Sequence, residues 1–198
     1  MRPMTENGGV AQRADWMRDT RRSAVQDRIV EIAGDVFAER GADASMADIA
    51  AAVGCSRATL YRYFDGRRTL QLEYIGRVAR RIGAAVEAAV AGEADPAVRL
   101  TEAVVVALDQ VRREPALAAW FTPGGAGSTS ELALSSEFVE TAATTFLSVG
   151  GRPGQDAARW VIRVIVSLLV VPGGSPADER AMIATFVTPS VLASLTTT

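Results

Sequence analysis

The sequence predicts an all-α fold, with a small three-helix unit at the N-terminus and a larger helical body behind it. Three observations lead there. Ala and Val are abundant and aromatics make up only 6% of the 198 residues, a mixture that favours helices over sheets. Apolar residues recur at steps of three and four along most of the chain, and no strand-like alternation bounded by turns interrupts them. Hydrophobic residues reach 48%, enough to bury a core.

Residues 1–22 carry Pro3, Gly8, Gly9 and scattered charges without an apolar period, and are expected to form a flexible tail. The first helix is expected to open at Ser23, because Ser23 and Gln26 have the spacing of a capping box. Val25, Ile29, Ile32, Ala33, Val36 and Phe37 then mark its inner face, and Gly41 stops it. Ser45 and Asp48 repeat the capping box before a short second helix with Ile49, Ala50 and Val53 inward. Gly54 and Cys55 make a tight turn. Ser56 caps a third helix, Leu60 and Phe64 face the core, and Asp65-Gly66 ends it. Two short helices across a Gly-containing turn form a helix-turn-helix unit. Residues 23–66 thus make one domain.

From Arg67 the helical period continues, so residues 67–198 make the second domain. A fourth helix over 67–91 stops at Gly92, and Pro96 opens a fifth with Leu100, Val104, Val105, Leu108 and Val111 inward. Pro115 opens a short piece bearing Leu117, Trp120 and Phe121. The Gly- and Ser-rich stretch 122–130 is expected to be a mobile loop. Helices follow over 131–149, over 155–171, and from Pro176 to about Leu192, with breaks at 150–153 and at Pro172-Gly173-Gly174.

Composition removes several kinds of chemistry. With no histidine, Ser-His-Asp and Cys-His catalysis and His-based metal sites are excluded. Cys55 is the only cysteine, so an internal disulfide or a thiolate cluster is excluded too. No cofactor is expected. The apolar run around 164–171 is well short of the ~20 residues a membrane span needs, and the N-terminus lacks a signal-type apolar stretch. A soluble, cytoplasmic protein is expected. Every basic residue is Arg. Residues 1–81 hold 14 Arg against 11 acids, and residues 82–198 hold 7 against 12. A basic head on an acidic body suggests an anion-binding head, with ordinary solvated surface as the plainer alternative.

A helical wheel sharpens the third helix. With Leu60 and Phe64 inward, Arg57, Ala58, Thr59, Tyr61, Arg62 and Tyr63 take the outer side. Arg can donate a bidentate pair to guanine in the major groove, and Tyr and Thr hydroxyls can bond phosphates. Ala58 is small enough to let a helix approach base edges. The alternative is a solvated face, on which two Tyr are less expected.

These residues resemble a known family. Ser45-Met46-Ala47-Asp48-Ile49-Ala50, then Gly54-Cys55-Ser56-Arg57-Ala58-Thr59-Leu60-Tyr61-Arg62-Tyr63-Phe64, then Arg67 to Leu70, are similar to the DNA-binding domain of the TetR family of repressors. Ser45 stands where the family pattern has Thr, Cys55 where it has Val, Ala58 where it has Gly, and Arg67 where it has Lys. The resemblance covers about residues 24–72 and implies an all-helical homodimer that binds a double-stranded DNA operator and answers to a small-molecule effector. By the same resemblance, Arg57, Ala58, Tyr61 and Arg62 match positions that face base edges, and Ser45, Thr59, Tyr63 and Arg67 match positions that hold phosphates.

The body offers two further expectations. The helix over 155–171 is apolar nearly all round, so a second copy is expected to cover the face its own domain leaves, although a central helix of a monomer would read alike. With the resemblance, Trp160, Ile162, Val166, Leu169, Met182 and Phe186 become the expected dimer interface, with Ile183 and Val187 beside them. A ligand pocket, which rests on the resemblance, would draw on Tyr74, Val104, Val105, Leu108, Trp120, Phe121, Phe138 and Phe146, for each of which core packing is the competing role. Such a lining suits a hydrophobic or aromatic effector. Arg77, Arg80 and Arg81 read as a solvated face, with Arg77 able to approach DNA. The expected function is a ligand-responsive repressor rather than an enzyme. A helical enzyme or an interaction module with an accessory helix-turn-helix head remain the other readings.

Overall fold

The computed structural model describes residues 8–121, 126–147 and 154–196, and every regular element among them is helical. Helix α1 spans Gly8–Arg40. It is therefore already under way at Ser23, and the expected tail is helical from Gly8 onward. Residues 1–7 lie outside the described residues. One contact of the part upstream of Ser23 is polar and leaves no apolar period: Arg22 donates to the Arg62 carbonyl at the end of the third helix.

Helix α2, Met46–Val53, starts with the expected capping box. The Ser45 hydroxyl accepts from the Asp48 N–H, and the Asp48 carboxylate accepts from the Ser45 N–H. Gly54 ends α2 at φ +77°, a left-handed turn that an L side chain disfavours. Helix α3 is short, Arg57–Tyr61, capped by Ser56, whose hydroxyl accepts from the Thr59 N–H. One further turn carries Phe64 back under Leu60, with the Phe64 N–H on the Leu60 carbonyl at 3.1 Å.

Helices α4 (Arg67–Ala89), α5 (Pro96–Arg113) and α6 (Pro115–Trp120) follow the expected boundaries closely. The next stretch departs from expectation. Helix α7 spans Ala126–Leu134 and α8 spans Glu137–Leu147. The expected loop is thus helical from Ala126, while residues 122–125 lie outside the described residues. The single helix expected over 131–149 is two. Ser136, almost fully buried, breaks it: its hydroxyl takes the Val139 N–H and its carbonyl the Glu140 N–H, which starts α8 afresh. Residues 148–153, with the expected break at 150–153, also lie outside the described residues. Helix α9 spans Gln155–Val170. Helix α10, Pro176–Met182, passes through a wide π turn at Ile183–Val187 into α11, Thr188–Thr196.

Two large apolar cores, with a smaller cluster of Val86, Val90 and Ala103 between α4 and α5, carry the fold. The first joins α1, α2 and α3 through Ile29, Phe37, Ile49, Leu60 and Phe64, and continues without a break into Leu70 and Tyr74 of α4 and Leu117 and Trp120 of α6. Phe37, Tyr74 and Trp120 meet edge to face, with ring centres 4.9–5.9 Å apart. Gly34 makes this possible, since a Cβ there would stand 2.6 Å from the Tyr74 ring. The second core joins α5, α8, α9 and the α10–α11 rod through Leu100, Val104, Leu147, Ala158, Val161, Ile183 and Val191. Inside it the hydroxyls of Thr101 and Thr188 bond each other at 2.9 Å.

Candidate nucleic-acid interface and body cavity

Burial of Leu60 and Phe64 decides which side of α3 meets solvent. Arg57, Ala58, Tyr61 and Arg62 are exposed together, Tyr61 at 46%. The other four sequence-derived positions sit around this face in supporting contacts. The Ser45 hydroxyl belongs to the cap of α2 and also donates to Asp48 at 2.6 Å. Those Ser45 hydrogen bonds hold the Asp48 carboxyl below its ordinary value, and Arg40 adds to the effect. The Thr59 hydroxyl bonds that of Ser56 at 2.9 Å. Tyr63 is half-buried against the head core. Arg67 is exposed and reaches the Ala44 carbonyl at 3.5 Å.

Two residues that sequence reasoning did not place at this site join it from α1. Arg22 donates to the Arg62 carbonyl and Gln26 to the Tyr63 carbonyl. Their i, i+4 spacing was the only signal in the sequence. Arg77, considered near DNA, is engaged on α1 instead, where it pairs with the Asp27 carboxylate and donates to the Asp27 carbonyl. Arg81 pairs with Glu114, which also accepts from the Tyr74 hydroxyl. Burial and that carboxylate push the Tyr74 phenol well above its ordinary range.

The body holds a cavity of about 440 Å³ among α4, α5, α8 and α9, reaching the end of α6. Ile75, Val78, Ile82 and Val86 form its α4 wall, Ala103, Val104 and Ala107 its α5 wall, and Val161, Ile162, Ile165, Val166 and Leu169 its α9 wall. Charge enters the lining only as Arg80 and Glu87 of α4, both solvent-exposed. Apart from these and Thr145, the lining side chains are apolar.

Of the pocket residues read from sequence, Val104, Phe121 and Phe146 lie on this wall. Tyr74 and Trp120 belong to the aromatic core with Phe37, Val105 packs in the second core, and Leu108 is buried away from the cavity. Phe138 is partly exposed, with Arg80 stacked over its ring at 5.4 Å. The reason is volume: large aromatics fill space, while the cavity opens where Ala79, Gly83, Ala103, Ala107, Ala142 and Ala143 leave it empty.

Helix α9 is two-faced rather than apolar all round. Ala157, Ala158, Val161, Ile162 and Val166 are buried within the chain, whereas Trp160, Arg163, Ser167 and Val170 face outward. Ile162 and Val166 are therefore cavity wall, not outer surface, and Leu169 is half-buried on the same wall. Trp160, Met182 and Phe186 remain outside, Trp160 at 51% and Phe186 at 72% exposure. Among the described residues, no helix is long and apolar enough to cross a membrane, and no cluster of acidic or sulfur ligands could hold a metal.

A helix-turn-helix head presenting Arg and Tyr, set on a helical body with an apolar cavity, defines a DNA-binding regulator. Residues 29–74 match the profile of bacterial regulatory proteins of the tetR family. Two relatives from Mycobacterium tuberculosis, strains CDC 1551 and H37Rv, each named an uncharacterized HTH-type transcriptional regulator, are 43% identical over 182 residues, covering 89% of this chain and 90% of each relative. The chain belongs to the TetR family of bacterial transcriptional regulators, which are not enzymes. Its fold is similar to that of the TetR family repressor AlkX from Dietzia sp., at TM-score 0.57 and 19% identity over 83% of this chain and 94% of that one. It is also similar to RolR solved without ligand, at TM-score 0.59 and 14% identity over 87% and 97%. The fatty acid degradation regulator FadR from Bacillus halodurans shares the fold at TM-score 0.51 and 18% identity over 87% and 96%.

Proposed function

We propose that the protein is a homodimeric repressor that leaves a palindromic operator when a small hydrophobic effector fills the body cavity. The observation that carries this reading is the placement of α4. Leu70 and Tyr74, toward its N-terminus, are part of the head core, and Ile75, Val78, Ile82 and Val86 form a cavity wall. A ligand that shifts that wall moves the helix on which the head is packed.

In this reading residues 23–66 are the DNA-binding domain and residues 67–198 the effector and dimerisation domain, working in the cytoplasm. Arg57, Ala58, Tyr61 and Arg62 address base edges, and Ser45, Thr59, Tyr63 and Arg67 lie toward phosphates. Trp160, Met182 and Phe186 meet a second copy, which places the two α3 helices about 34–36 Å apart, or a multiple, for successive major grooves. The apolar lining supports the effector class. So do two of the fold neighbours, one implicated in n-alkane biodegradation and one a fatty acid degradation regulator.

Selection from a random DNA pool with purified protein tests the first half. Two inverted half-sites are expected, and a single unrepeated motif would refute the dimeric reading. Titrating the selected duplex complex with alkanes, fatty acids and aromatic hydrocarbons, with glucose and AMP as polar controls, tests the second half. An effector coupling of ~1–3 kcal/mol is expected from apolar compounds alone. Release by the polar controls alone would refute a hydrophobic effector.

A further inference from the structure

Helix α3 has only five residues, too few to hold its own direction in water. Ser56 holds its N-terminal end, and Leu60 and Phe64 hold its underside. Past its last residue, Tyr61, the chain turns through Arg62 and Tyr63, and carbonyls of this turn lie beyond the helical hydrogen-bond ladder. Two of these are taken by α1. Arg22 Nη2 donates to the Arg62 carbonyl at 3.1 Å, and Gln26 Nε2 donates to the Tyr63 carbonyl at 3.4 Å. The two side chains lie four residues apart, hence on one face of α1. The Arg22 guanidinium also lies 5.7 Å from the centre of the Tyr63 ring, within range of a cation–π attraction. A cation at a helix C-terminus is favoured in its own right.

We infer that Arg22, assisted by Gln26, is a positioning residue that fixes the tilt of α3, so that discrimination between DNA sequences depends on a side chain that reads no base. This rests on the reading of α3 as the base-reading helix. It also accounts for the upstream part of α1, since a helical backbone on both sides of Arg22 is what aims its side chain at α3. Tilt matters because a bidentate Arg–guanine pair is directional, whereas a phosphate contact tolerates movement.

The test compares Arg22→Ala with Arg22→Lys and with Arg21→Ala, an exposed neighbour of the same charge. Each full-length variant is titrated by fluorescence anisotropy against the selected operator and an unrelated duplex, over a range of KCl. For Arg22→Ala the ratio of operator to unrelated affinity is expected to fall about tenfold, the equivalent of one charge-assisted hydrogen bond. The slope of log affinity against log salt should stay that of wild type. Arg21→Ala should leave the ratio unchanged, and Arg22→Lys should restore most of it, because an ammonium can still donate to the carbonyl. An unchanged ratio overturns the inference. So do equal losses on both duplexes with a slope lowered by about one, the mark of a phosphate contact. If far-UV circular dichroism shows Arg22→Ala unfolded, Gln26→Ala, which keeps the stacked guanidinium, must still lower the ratio by a smaller factor. Arg57→Ala separates the two levels. If wild type selects no site, or Arg57→Ala keeps the preference, the reading of α3 has failed. If Arg57→Ala abolishes the preference and Arg22→Ala leaves it intact, only the positioning role has failed.

Discussion

Glu179→Gln should loosen the body by about 2–3 kcal/mol at neutral pH. Glu179 sits on α10 at 4% exposure, and its carboxylate accepts two hydrogen bonds of 2.7 Å from Arg112 of α5 and one of 2.8 Å from the Gly173 N–H. Arg112 also donates to the Leu168 carbonyl of α9 at 3.1 Å, so one ion pair ties three helices. A charge-assisted bond contributes about 1.5–3 kcal/mol. Gln keeps one neutral acceptor for Arg112 or Gly173, and Arg112, at 34% side-chain exposure, regains some water. The loss therefore falls below the ~3–5 kcal/mol of breaking a fully buried pair. At ~2–4 °C per kcal/mol for a chain of this size, the Tm drops by about 4–12 °C. pH supplies a second signature. Hydrogen bonds from Arg112, then the Gly173 N–H and the Arg112 charge, hold the Glu179 carboxyl below its ordinary value of 4.5 despite burial. A lowered folded-state pKa gives stability that is fully present above the ordinary value and is lost as pH falls through the lowered one. The variant has no such proton to bind, so the two melting curves should converge below pH 4.5. Thermal and urea unfolding followed by circular dichroism, at one protein concentration and at several pH values, reads both effects. Equal melting at neutral pH, or a gap that stays constant down to acid pH, would refute the argument.

Three other outcomes follow from the geometry. Arg57→Ala or Arg62→Ala should cost ~1–3 kcal/mol of operator binding and relax the preference at particular base pairs, measured by repeating the site selection. Phe186→Asp should yield a folded monomer by light scattering, because it places a charge on an exposed apolar surface, whereas Val166→Asp strands a charge in the core and should unfold the chain. Ala107→Phe should take up part of the cavity, hold or raise the Tm, and weaken binding of a neutral apolar fluorophore such as N-phenyl-1-naphthylamine; undiminished binding would refute the reading of this space as the apolar site.

What the sequence made legible was local. The Ser45–Asp48 box, the tight turn at Gly54 and the Ser56 cap each involve residues a few positions apart and stand as expected, whereas the Ser23–Gln26 spacing, which reads alike, falls inside α1. The exposed Arg57–Arg62 face followed from two core residues and a helical wheel. Contacts between distant segments were not legible in the same way. Arg22 and Arg62 are forty positions apart and meet through a polar side chain and a backbone atom, which leaves no periodic trace. In α9 the apolar residues outnumber the positions one face can hold, so hydrophobicity alone could not choose between Ile162 and Trp160. The stripe Arg159, Arg163, Ser167, at steps of four, was the usable sign of the outer face. Most of the cavity wall escaped, Val104, Phe121 and Phe146 aside, because a cavity is made of absent volume and alanines read as ordinary helix formers.

The wide turn between α10 and α11 sets rotational phase. Ile183, Val187 and Val191 are all buried at steps of four residues. In a regular α-helix each such step overshoots a full circle by about 40°, so the third side chain would stand about 80° further around the rod than the first. A π turn holds more residues per circle, so the step from Ile183 to Val187 undershoots and offsets the overshoot of the next. Loss of one residue from 184–186 would let a plain α turn replace the wide one, fewer steps of about 100° standing for more steps of a smaller angle, so everything beyond it would keep nearly the same phase. Thr188 would stay on the side of Thr101, whereas a residue lost from a regular α turn on either side would swing everything beyond it by about 100°. The wide turn is thus what lets the rod carry one more residue while its two halves stay in step.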